Sequence, residues 1–63
     1  MMIDKVMDSD GVRITLKDRS RQKAELQANN EIQKLLLSGY RFPRLTQKTK
    51  NGVTTITIKT GAI

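Results

Sequence analysis

The side chains able to do chemistry in this chain are mostly cations. Lys and Arg number 12 and Asp and Glu 6, and there is no His and no Cys. Without His, no side chain titrates near neutral pH on its own, and without Cys there is no thiolate nucleophile. No Ser sits in the strand-turn-helix setting of a nucleophile elbow, and no glycine-rich loop is present to cradle a phosphate. The acids are scattered. Asp8 and Asp10 are the one close pair, in an Asp-Ser-Asp-Gly turn without the ligand run and closing Glu of a calcium loop. The residues therefore predict no enzyme, no catalytic residue, no cofactor and no metal.

What remains is charge. The net charge is +6 and the pI about 10.2. A pI above about 9 is an electrostatic footprint of nucleic-acid binding, and it also suits an acidic protein partner. One cluster is compact: Lys17, Arg19, Arg21 and Lys23 surround Ser20. If a helix begins there, its free amides and Ser20 join the cations in a site for phosphate. The other cations recur along stretches that read as strands.

Residues 12–17 alternate strictly. Val12, Ile14 and Leu16 form an inward set and Arg13, Thr15 and Lys17 an outward one, as in a half-buried strand. Residues 8–11 before it are turn chemistry, and residues 3–7 form an optional first strand whose pattern Asp4 and Lys5 weaken. From Ser20 to about Ser38 the spacing predicts a helix: Ser20 as N-cap, Ala24, Ala28, Ile32, Leu35 and Leu36 on one stripe, and Gly39 at the left-handed position after the end. Pro43 makes the next extended stretch an edge strand or the entry to one. Asn51-Gly52 is a strong hairpin signal, and residues 53–60 are rich in β-branched types, with Ile56 and Ile58 inward and Thr55, Thr57 and Lys59 outward. The expected fold is α+β: a single antiparallel β-sheet of 3–4 strands packed on one amphipathic helix, in the order (β)β-α-ββ, with residues 1–63 as a single domain. Its core would comprise the inward residues above together with Phe42 and Leu45.

On that frame the outer sheet face carries Arg13, Thr15, Lys17, Thr55, Thr57 and Lys59, with Arg44 and Lys48 beside them. Phosphate contacts are expected from Arg13, Lys17, Arg19, Arg21, Lys23, Arg44 and Lys48. The only aromatic residues are Tyr40 and Phe42, and Phe42 is expected in the core, which argues against base stacking as the main mode. The helix face away from the sheet carries Leu26 and Leu37, with Asn30 and Gln33 between them. Uncharged polar residues flanked by leucines suit contact with another chain, such as a second copy of this one. A chain of 63 residues without Cys has oligomerisation as its remaining staple.

Residues 13–18, Arg-Ile-Thr-Leu-Lys-Asp, resemble the opening strand of Cro-type phage repressors. That family follows its helical part with a C-terminal hairpin, dimerises, and binds operator DNA through a helix-turn-helix. The resemblance covers these six residues and a loose element order. The helical segment here is too short for three helices and has no internal Gly, so no DNA-reading residue carries across. The first 5 residues mix acid and base where an export signal would be apolar, and no run approaches the ~20 apolar residues of a membrane span, so a cytoplasmic protein without a membrane partner is expected. Two functions follow: a basic nucleic-acid-binding accessory or regulatory protein, or a protein-interaction module or inhibitor of the phage and mobile-element type, acting through the helix face or a sheet edge.

Overall fold

The computed structural model describes residues 1–61. The chain runs β1 (Met2–Asp8), β2 (Gly11–Asp18), α1 (Arg21–Leu37), β3 (Arg44–Lys50) and β4 (Val53–Gly61). The strands make one antiparallel sheet in the order β1-β2-β4-β3, so the optional first strand is present and the sheet has four strands. Two hairpins lie side by side, joined where β2 pairs with β4 from Gly11↔Gly61 to Asp18↔Thr54. The single helix links them, and there is no second helix among the described residues to make a helix-turn-helix.

The turns follow local chemistry. Asn51 (φ 52°) and Gly52 (φ 75°) both take positive φ, as the type I′ turn of a two-residue hairpin requires. In the other hairpin the Asp8 carboxylate accepts from the backbone N–H of Asp10 (2.8 Å) and of Gly11 (3.1 Å), which ties it into its own turn. Gly11 has φ 138°, and a Cβ there would stand 2.1 Å from the Thr60 carbonyl oxygen, so only glycine fits between the two central strands.

The helix ends are both closed. Ser20 is the N-cap and its hydroxyl oxygen accepts from the Lys23 N–H at 3.4 Å. At the other end Gly39 N–H donates to Leu36 O (3.2 Å) and Tyr40 N–H to Leu35 O (3.1 Å), the paired bonds of a Schellman motif, with Gly39 at φ 97°. Tyr40 then packs against the core.

The core is aliphatic and narrow: Val12, Ile14 and Leu16 from β2, Ile56 and Ile58 from β4, and Ala24, Ala28 and Leu35 from α1, with Ile32 partly buried against them. The two alanines let the helix lie close over the central strands. Three expected core residues fall outside: Leu36, Leu45 and Phe42 are exposed. A helix is ~10–12 Å across, whereas the outer strands of a four-stranded sheet are separated by three spacings of ~4.8 Å. One helix therefore covers β2 and β4 and leaves both edge strands open, Leu45 with them. Three polar residues are buried in their place: Thr54, Thr60 and Glu31. Thr60 donates to the Arg41 carbonyl (2.9 Å), and Thr54 shares a hydrogen bond with Thr49 (3.2 Å).

Candidate nucleic-acid interface

The register sets the uncovered face of the sheet. Val12, Ile14 and Leu16 face the helix, so their alternates on β2 and every cross-strand partner of those alternates face away. One row across the sheet reads Val6, Arg13, Lys59, Arg44. The next is Asp4, Thr15, Thr57, Thr46, followed by Met2, Lys17, Thr55, Lys48, and then Val53 beside Lys50. Six cations thus share one face, with a hydroxyl-rich middle. Its two carboxylates, Asp4 and Asp8, are both on the edge strand β1; the outward positions of β2, β4 and β3 carry none.

The helix side is organised the other way. Glu31, only 3% exposed, accepts from Lys5 Nζ (2.9 Å) and Gln27 Nε2 (3.0 Å), with Lys34 Nζ at 3.7 Å. Burial works to raise its carboxyl pKa, but the hydrogen bonds and charges of Lys5, Gln27 and Lys34 together hold it below the ordinary value. Glu25 takes Arg21 (2.8 Å) and Gln47 (3.1 Å), and these hydrogen bonds likewise lower its pKa. Carboxylates therefore pair with Lys5, Lys34 and Arg21, while among the described residues none of the six outer-face cations has an ion-pair partner.

The seven expected phosphate contacts divide into two groups. Arg13, Lys17, Arg44 and Lys48 lie on the outer face, as the alternation implied, and Lys50 and Lys59 join them. Lys50 follows from the same odd-even alternation on β3 once the Asn51-Gly52 turn fixes where that strand ends. Arg19, Arg21 and Lys23 are exposed at the helix start, which lies toward the Asp18 end of β2, away from Arg13 and Arg44. The amide chemistry there is partly used: Ser20 caps Lys23 N–H, Asp18 accepts from Ser20 N–H (2.7 Å), and Arg21 is held by Glu25. Asp18 and Glu25 stand among these three cations, whereas the carboxylates of the sheet face are confined to β1.

Leu26, Asn30, Gln33 and Leu37 are all exposed on the helix face opposite the sheet, Leu26 at 66% and Leu37 at 87%. Phe42 departs most from expectation. It is 90% exposed and has φ 58°, and it rims an open depression whose other walls include Arg13, Arg44, Lys59 and Val6. Asp8 and Asp10 line the turn side of the same depression. No helix among the described residues is long and apolar enough to cross a membrane. No family model, no curated protein and no solved structure matches the chain.

Proposed function

We propose that the protein is a non-enzymatic nucleic-acid binder, accessory or regulatory in role, that holds phosphates on the open face of its sheet. The observation that carries this reading is the row Arg13, Lys59, Arg44. Like charges placed directly opposite on neighbouring strands destabilise a sheet. Here three are aligned across β2, β4 and β3, with no carboxylate outward on those strands. A polyanion crossing the row would relieve that repulsion, and Thr15, Thr57 and Thr46 beside it can donate to phosphate oxygens. Lys17, Lys48 and Lys50 extend the path toward the helix start, where Arg19, Arg21 and Lys23 supply further positive potential.

The test is a binding titration with DNA and RNA across a salt series. Affinity should fall steeply with salt, with a slope of about −0.7 per phosphate contacted on a single strand. Replacing Arg13, Arg44 and Lys59 together by Gln should make the slope shallower by about 2. If the wild-type chain shifts neither DNA nor RNA at low salt and micromolar protein, the reading fails.

A second reading rests on a different face. Leu26 and Leu37, with Asn30 and Gln33, would bind another protein chain, a second copy or an acidic partner, as a module or inhibitor of the mobile-element type does. If the partner is a second copy, introducing Lys at both leucines should abolish self-association without disturbing the sheet.

A further inference from the structure

We propose that the ring of Phe42 is a stacking platform for one base of a single-stranded nucleic acid whose phosphates cross the Arg13-Lys59-Arg44 row; this rests on the nucleic-acid reading above and specifies which form of nucleic acid it takes. The first observation is the position of the ring. Phe42 is 90% exposed on the rim of the depression that Arg13, Arg44 and Lys59 also line. Base-binding surfaces of single-strand binders combine these two components, a cationic track and an aromatic face beside it.

The second observation is how firmly the backbone presents it. Tyr40, two residues earlier, is held against the core and donates its N–H in the Schellman motif. The Arg41 carbonyl accepts from the buried Thr60 hydroxyl at 2.9 Å, and Arg41 Nη1 clasps Leu36 O (3.0 Å) and Tyr40 O (2.9 Å). Pro43 restricts the chain on the far side. Between these anchors Phe42 is held at φ 58°, a backbone state that a bulky side chain rarely adopts. The hydrophobic effect does not explain the ring, since it is left in water, and the backbone strain works against it. A ring strained and exposed at once is accounted for by a ligand that covers it.

The third observation is the size of the face. The molecule measures 36 × 18 × 16 Å across its Cα atoms. The major groove of B-DNA is about 12 Å wide and admits a helix or a two-stranded ribbon. A four-stranded face cannot enter it, and on the outside of a duplex the bases are stacked away from Phe42. A single strand, with unpaired bases free to turn toward the protein, satisfies both the cationic row and the ring.

The chain contains no Trp, so F42W introduces a single reporter at the ring's position. The probes are a short oligothymidylate, an abasic strand of the same length and a duplex. F42W emission should be quenched by oligothymidylate and unchanged by the abasic strand. F42A should bind oligothymidylate about tenfold more weakly, with its affinity for the abasic strand and its salt slope intact. If F42A binds both strands as wild type does and F42W emission responds to neither or to both alike, stacking is overturned while phosphate binding stands. Equal wild-type affinity for duplex and oligothymidylate would also overturn it. If wild type binds no strand at all, the nucleic-acid reading falls and stacking with it.

Discussion

Phe42, Glu31 and Gly11 each break a local rule, and each break has a measurable consequence. At Phe42 the positive φ is a strain of about 1–2 kcal/mol for a residue with a side chain. F42G should relieve it and leave the unfolding free energy unchanged or higher, by up to about 1 kcal/mol after glycine's entropy is counted, read from the thermal midpoint. A large loss of stability in F42G would mean the ring is structural. Glu31 couples stability to pH. Its folded pKa lies below the ordinary 4.5, so the stabilisation is present above that value and is lost as pH falls through the lower folded pKa. Acid titration of the unfolding free energy should show this fall, and E31Q should flatten it at a cost of about 1–2 kcal/mol at neutral pH. Gly11→Ala brings a Cβ to 2.1 Å from the Thr60 carbonyl; we expect a loss of about 2–4 kcal/mol, read by denaturant midpoint. Gly11 was legible as part of its turn, though its contact with Thr60 was not; Phe42 and Glu31 were not legible in advance. Phe42 reads as core by type because sequence carries no sign of its φ. Glu31 falls on the same helical stripe as Ala24, Ala28 and Leu35, but an acid on that stripe reads as a boundary until Lys5 of β1 is placed opposite it.

At the scale of elements the sequence was far more informative, because each boundary has a local cause. Ser20, Gly39 and Asn51-Gly52 end or turn the chain through bonds made within a few residues, and the strict alternation of residues 12–17, with Ile56 and Ile58 opposed to Thr55, Thr57 and Lys59, sets which face is wet. The outer-face positions of Arg13 and Lys17 follow from alternation alone, and those of Arg44 and Lys48 follow once the Asn51-Gly52 turn sets the register of β3. What alternation does not contain is the order of strands. That β4 enters between β2 and β3 is a long-range fact, and it is what aligns Lys59 between Arg13 and Arg44. The failure to bury Leu45 has the same origin, since the spacing of apolar residues does not say whether one helix is wide enough to cover an edge strand; Leu36 stays exposed because it lies about 100° around the helix from the buried Ala24, Ala28 and Leu35 stripe. The caps provide a test at this scale. Ser20→Ala removes the acceptor for the Lys23 N–H and should lower stability by about 1 kcal/mol. Because the sheet face lies apart from that cap, binding of a single strand under native conditions should be unchanged. A parallel loss of binding would place the helix start, with Arg19, Arg21 and Lys23, in the interface after all.

The whole molecule has two unlike faces back to back, a cationic sheet and a helix surface whose middle carries no charge. With a net charge of +6, two copies repel unless their cations stay apart. Association through Leu26, Asn30, Gln33 and Leu37 keeps them apart: the helices meet at a twofold axis and both basic sheets point outward. The two readings of function are then compatible, and salt acts on them with opposite sign. Screening weakens nucleic-acid binding through loss of the counterion effect, but it lessens repulsion between two copies and so favours the dimer. Sedimentation at rising salt should therefore show the mass moving from one chain toward two, and the double variant L26K/L37K should remain a single chain throughout. A paired molecule would also reach two stretches of one long strand, gaining avidity that a short oligonucleotide cannot show. The double variant should accordingly lose affinity for long single strands while binding short ones as wild type does. A wild-type chain that sediments as one copy at every salt concentration would remove the dimer and leave the sheet face to act alone.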